Sequence, residues 1–189
     1  MSARIDALEP AASTVVGAWR GIDDGRLLEV RRAVRRGAGE GSAVRVAAEL
    51  AAVAASLADV VSTLPDHAFR LPGGEGDWNV AQALGHTADS RAGLAMAGAP
   101  AASGRWPADA PTVVPGIPGP PDATREQLLR RLATSQRIVE RAARSIDGHE
   151  TDPCPLDHPL VGRLRCGEWL LFAGVHDPMR LAQLEGLER

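Results

Sequence analysis

Residues 77–98 read DWNVAQALGHTADSRAGLAMAG, and the fold turns on how this stretch is read. Asp77 stands where a helix N-cap belongs, because its short side-chain oxygen can accept from backbone N–H groups that the first turn leaves unpaired. Gly98 stands where a terminal glycine would end the helix. Trp78, Gln82 and His86 are four apart and share one face, and a tryptophan opening that face is expected to be buried. His86 is therefore expected to point at least partly inward.

Working outward, three more segments carry the same periodicity. Residues 42–64, SAVRVAAELAAVAASLADVVSTL, place Val46, Leu50, Val53, Leu57 and Val60 or Val61 at spacings of three and four, with Ser42 as cap and Pro65 as stop. Residues 123–146 put Leu128, Leu132, Ile138 or Val139, Ala142 and Ile146 on one side and many arginines on the other. Residues 166–187 place Trp169, Ala173, His176, Arg180, Leu184 and Leu187 on one stripe, in which His176 and Arg180 are polar intruders. No segment shows sustained β-branched alternation, so the expected class is all-α, a four-helix bundle over residues 42–189. Residues 1–41 are expected to be an N-terminal helical extension of one or two helices, interrupted near Gly21 to Gly25 and closed by GAGEG at 37–41. Two long connections remain, residues 98–122, rich in proline and glycine and read as a lid, and residues 147–165.

At 189 residues the chain has the length of one well-buried domain. The net charge of −3 supplies no field that would draw nucleic acid or an acidic membrane surface, and neither is expected as a partner. The arginine run at residues 26–37 is read as a solvated helix face and not as a phosphate-binding arm. No stretch approaches the ~20 apolar residues of a membrane span, and residues 1–10 lack a signal peptide's basic and apolar regions, so a cytoplasmic location is expected. Every basic residue is arginine, a bias that suggests a GC-rich and specifically actinobacterial genome. Cys154 and Cys166 are expected to stay thiols; Cys166 precedes a helix but has no paired base in the sequence. His149, Cys154, His158 and Cys166 lack the paired ligand spacing of a zinc motif and are read as loop residues, as is His67.

Two fragments carry a family resemblance. WNVAQALGHTADSR, residues 78–91, resembles the Trp and Gly-His motif of the DinB/YfiT-like family. HDPMRLAQL, residues 176–184, resembles its final-helix motif of His, Asp, two variable residues, His, apolar, any residue, Gln, apolar. The similarity spans about residues 43–187 and leaves the first 40 or so outside. That family consists of four-helix bundles, among them thiol-dependent transferases and the mycothiol-dependent maleylpyruvate isomerase. Its members often bind one divalent metal through three side chains, one on the second helix and two on the last.

By resemblance, His86 and His176 match two ligand positions for Zn or Ni, and Arg180 occupies the third. A guanidinium has no free lone pair and is always charged, so it cannot coordinate a cation. Asp89 is the candidate replacement ligand; Asp177, about 100° round the helix from His176, is the poorer one. Pro178 is expected to distort the last helix beside the pocket. The implied function is a small-molecule enzyme, a thiol-dependent S-transferase or isomerase using mycothiol, with weakened or lost metal binding. In it Arg180 meets an anionic group and His86 or His176 acts as acid or base. The competing expectation is a non-catalytic binding or scaffold bundle with a vestigial pocket, able to form a homodimer. A buried Arg180–Asp89 pair would mark a metal site replaced by an ion pair.

Overall fold

Helix α4 (Ala43–Thr63) forms where its spacing predicts, with Val46, Leu50, Val53, Leu57, Val60 and Val61 all buried. The computed structural model describes residues 2–23, 25–74, 76–110, 116–159 and 161–187. The cap of α4 differs from the expectation: Ser42 makes no side-chain cap bond, and Glu150 Oε1, more than a hundred residues away in sequence, accepts from the Ala43 N–H at 3.1 Å. A carboxylate at that end also meets the positive pole of the helix dipole.

Helix α5 (Val80–Ala102) starts two residues later than an Asp77 cap would give. Asn79 is the cap, its Oδ1 accepting from the Gln82 N–H at 2.8 Å while Gln82 Oε1 accepts from the Asn79 N–H at 3.0 Å. Nor does Gly98 end the helix, which runs on to Ala102 with Pro100 in its last turns. Gly98 serves close packing instead: a Cβ there would lie 2.6 Å from the Cys166 carbonyl oxygen and 3.1 Å from Ile146 Cδ1. Alanine is a better helix former than glycine by about 1 kcal/mol. Overpacking against a backbone oxygen costs about 1–3 kcal/mol, so Gly98→Ala is expected to lower the thermal midpoint, and a raised midpoint in a melting curve would show that the contact is loose.

Helix α6 (Arg125–Ile146) has its own capping box from Thr124 and Gln127, and buries Leu128, Leu132, Val139, Ala142 and Ile146. It packs on both α4 and α5. The last core helix is broken into α7 (Cys166–Phe172) and α8 (Asp177–Glu185). Pro178 accounts for the break: in a continuous helix its ring would collide with the carbonyl four residues back, whereas in the first turn of α8 its missing N–H costs nothing. Helix α7 lies on α5, and α8 lies on α4 with a smaller contact to α5.

The 147–165 connection corrects the expectation of no strands. β1 (Pro153–His158) and β2 (Gly162–Arg165) form an antiparallel pair with an irregular register between Pro153 and Asp157. β1 alternates exposed and buried side chains, and Cys154, Leu156 and His158 face inward over α5 and α7. Two prolines and one short alternation hid this strand in the sequence, and a lone hairpin needs such a neighbouring surface to persist.

Residues before α4 make three helices, α1 (Ala3–Leu8), α2 (Ser13–Asp23) and α3 (Leu27–Gly37). Ile5, Leu8, Val15, Val16, Val30 and Val34 join the same hydrophobic core as the bundle. The ties to the bundle are also polar. Glu49 of α4 accepts from the Thr14 and Val15 N–H groups at 2.9 and 3.2 Å, and Arg35 reaches the buried Glu168 at 3.0 Å. Among the described residues, no helix is long and apolar enough to cross a membrane.

Residues 116–123 form a strap across α5. Gly119 N–H donates to the Gln82 carbonyl at 3.0 Å, and Asn79 Nδ2 donates to the Pro121 carbonyl at 3.0 Å. Glycine on both sides permits the crossing, since a Cβ at Gly85 would come within 2.8 Å of Gly119 Cα. Of the stretch expected to act as a lid, residues 111–115 lie outside the described residues.

Candidate functional site

His86 lies on a partly exposed flank of α5, with the Trp78 ring edge-on at a centroid distance of 5.0 Å. Its Nδ1 is 2.9 Å from the Ile117 carbonyl of the strap. A carbonyl only accepts, so Nδ1 carries the proton and Nε2 keeps its lone pair in the neutral ring. Ser90 Oγ is 3.2 Å from that Nε2 and donates to it.

The face of α5 that points into the core is a different one. Thr87 and Arg91, one turn apart, are 1% and 0% exposed. Opposite them on α8, Arg180 and Asp177 are 2% and 0% exposed. The four side chains pair across the helices. Arg180 Nε donates to Thr87 Oγ1 at 3.2 Å, and Arg91 Nη1 donates to Asp177 Oδ2 in a buried ion pair.

Each arginine is held from further elements as well. Arg180 Nη1 donates to the Gly73 carbonyl at 3.2 Å and to Gln183 Oε1 at 2.9 Å, bolting the loop before α5 onto α8. Arg91 Nη2 donates to the Leu50 carbonyl at 3.1 Å and to Gln136 Oε1 at 2.7 Å, joining α4 and α6 to the same network. Burial pushes the Asp177 carboxyl up, to about 6, although Arg91 and then Arg180 pull the other way. One of its oxygens, Oδ1, has no hydrogen-bond partner among the described residues.

Asp89, the candidate third ligand, is not in this network. It is exposed, and both of its oxygens accept from Arg131 Nη1 of α6, at 2.8 and 3.0 Å. The Arg180–Asp89 pair is thus replaced by Arg91–Asp177, with Arg180 alongside. His176 occupies the N-cap position of α8 at the helix break, makes no side-chain cap bond there and is partly buried. Its electrostatic neighbour is His158 of β1, whose ring lies 4.5 Å from Phe172 and 5.8 Å from Trp169. Burial, and secondarily the charge of His176, lower the His158 pKa to about 4.

A divalent metal does not fit this donor set. At the position of the third ligand, Arg180 presents only N–H groups, and these are turned onto protein acceptors. The neighbouring carboxylate, Asp177, is engaged by Arg91. Among the described residues, no three His, Cys, Asp or Glu side chains are grouped to hold an ion.

The cysteines are both buried thiols. Burial raises the pKa of each, Cys166 to about 12, so neither is poised as a thiolate nucleophile at neutral pH. His149 is exposed beside Asp152 at 2.8 Å, away from the inward side chains of β1, and His67 is exposed on a short 3-10 helix (Asp66–Arg70) after α4.

Thr87 and Arg91 do not stand out from the helix spacing that marks His86. A usable signal was present, an arginine one turn after a threonine in a helix otherwise filled with alanine, opposite a last helix carrying Asp177 and Arg180.

A bundle of α4, α5, α6 and a broken last helix, with polar residues of the second and last helices facing each other, defines the class of protein. A family model described as the DinB superfamily matches residues 49–184, and the chain belongs to that superfamily. No curated protein and no solved structure matches it.

Proposed function

We propose that this chain is a metal-independent DinB-superfamily protein acting on a small molecule, with His86 as its acid–base residue and the Arg91–Asp177–Arg180 network standing where related bundles hold a metal. The observation that carries this reading is the bonding of Arg180 to Thr87, Gly73 and Gln183 at 2% exposure. A cation placed there would face a fixed positive charge and no lone pair.

His86 is oriented for proton transfer by the Ile117 carbonyl, which leaves Nε2 as the base. In a thiol-dependent transfer, the S–H proton of a small thiol such as mycothiol passes to Nε2. The thiolate then attacks the electrophilic carbon of the second substrate, and the imidazolium returns the proton to the leaving group or product. General base catalysis of this kind is worth roughly 10²–10⁴-fold. His86→Gln is therefore expected to lower thiol-transfer turnover at least about 100-fold with an unchanged melting midpoint.

The metal-independent part has its own test. Zinc or nickel in large excess over a tight site adds about 4 kcal/mol, or roughly 10 °C for a chain of this size. Here addition of either ion to untagged protein is expected to leave the melting midpoint unchanged. Near-stoichiometric metal by elemental analysis, lost in His86→Ala, would overturn the proposal.

A second reading, a non-catalytic binding or scaffold bundle, is favoured by the depth of the network. Asp177 and Arg180 are closed off from any substrate and serve packing. A thiol and organic-acid screen that gives neither turnover nor stabilisation would select it.

A further inference from the structure

A groove of about 590 Å³ runs between α5 and α6, floored by Ala88, Ala92, Ala123 and Ile138. Pro120 also lines it, on the same strap whose Ile117 carbonyl holds His86. We propose that this groove binds a small amphipathic carboxylate, its acid group held by Arg131 and its hydrocarbon part lying on the alanine floor. The proposal stands on the groove itself and not on the acid–base role of His86.

The volume is within the roughly 300–1,000 Å³ of small-molecule sites, and the lining sets an apolar floor beside polar and charged side chains, which suits an amphipathic ligand. It exists because two of the α5 side chains that line it, Ala88 and Ala92, are methyl groups, where larger residues would have filled the gap. The rim then selects the chemistry. Of the acids, Asp89 gives both oxygens to Arg131 Nη1, and Asp122 stands out in water, 91% exposed, with one oxygen 3.5 Å from Arg70.

The arginines are not spent. Arg131 uses Nη1 alone, so Nη2 and Nε have no protein acceptor among the described residues. Arg130, also on the rim, uses only Nη1, toward Glu126. Unspent donors above an apolar floor call for an acceptor-only head group, and a planar carboxylate fits the guanidinium fork in two parallel bonds. The Asp89–Arg131 link is 58% and 39% exposed at its two side chains, so water screens it and an incoming carboxylate competes with it readily.

The test is a nuclear magnetic resonance titration of the full ¹⁵N-labelled chain with hexanoate, 1-hexanol, hexylamine and inorganic phosphate in parallel. Hexanoate is expected to give saturable shifts at the amides of Ala88, Ala92, Ala123 and Ile138, with a dissociation constant at least about 10-fold below those of the other three probes. Arg131→Gln is expected to weaken hexanoate about 10-fold and leave hexanol unaffected. Ala92→Phe, at a partly exposed site, is expected to abolish both while the fold is kept, as judged by circular dichroism. Should that variant fail to fold, the amide-shift map of the unaltered protein decides the location by itself. No saturable shift with hexanoate, shifts confined to other surfaces, equal or tighter binding of hexylamine or phosphate, or hexanoate binding unchanged in Arg131→Gln would each overturn the proposal.

Discussion

Asp177→Ala is expected to lower stability by about 3–5 kcal/mol, the usual cost of removing one partner from a fully buried ion pair. For a chain of this length that corresponds to a drop of roughly 10 °C in the melting midpoint. The loss comes less from the bond than from what stays behind. Arg91 is 0% exposed and keeps only the Leu50 carbonyl and Gln136 as acceptors, while Arg180 remains one turn away on α8. The paired substitution Arg91→Met with Asp177→Leu removes both charges from the interior and is expected to recover most of the stability, because burying the pair costs nearly as much as its attraction returns. Thermal and urea melts of the single and double variants measure this. A single variant as stable as the parent, or a double variant no better than the single, would show that the pair is solvated and not buried.

The second large effect concerns pH. His158 has a folded pKa of about 4, below its ordinary 6.5, so the unfolded chain binds its proton first. Its contribution is complete above pH 6.5 and is lost as pH falls toward 4, by about 3 kcal/mol at 1.36 kcal/mol per unit. Asp177 runs the other way. Its folded pKa of about 6 lies above the ordinary 3.8, so the folded chain binds the proton first and gains stability as pH falls from 6 to 3.8, again by about 3 kcal/mol.

The two contributions nearly cancel over the same interval, and urea midpoints of the parent protein are expected to change little between pH 6 and 4. Single variants separate them. His158→Gln is expected to become more stable on acidification over this range, and Asp177→Asn less stable. Parallel pH profiles for parent and both variants would mean that neither group carries a shifted proton.

Much of the architecture was legible from spacing alone. Helices α4 and α6 fall where valine and leucine recur every three or four residues, because such a stripe has only one way to leave water. The break of the last helix followed from Pro178, a covalent fact that no environment alters. That Arg180 itself cannot ligate a cation was likewise legible, since a guanidinium has no free lone pair wherever it is placed.

The rotation of α5 was not legible. Alanine and glycine surround that helix, so no face is much more apolar than another, and Trp78, Gln82 and His86 form a partly exposed stripe while Thr87 and Arg91 take the core. The choice was made by partners, Asp177 and Arg180 on α8, Gln136 on α6 and the Leu50 carbonyl on α4. The cap of α4 and the β1–β2 hairpin depend in the same way on distant groups, Glu150 and the surfaces of α5 and α7.

The chain's own pattern of apolar residues and proline determined which segments are helices and where the last one breaks. Only the tertiary structure decided which polar side chains meet. A hydrophobic stripe is read along one helix, but a buried charge is tolerable only beside its counter-charge, and that counter-charge lies 86 positions away in sequence, as Arg91 and Asp177 do.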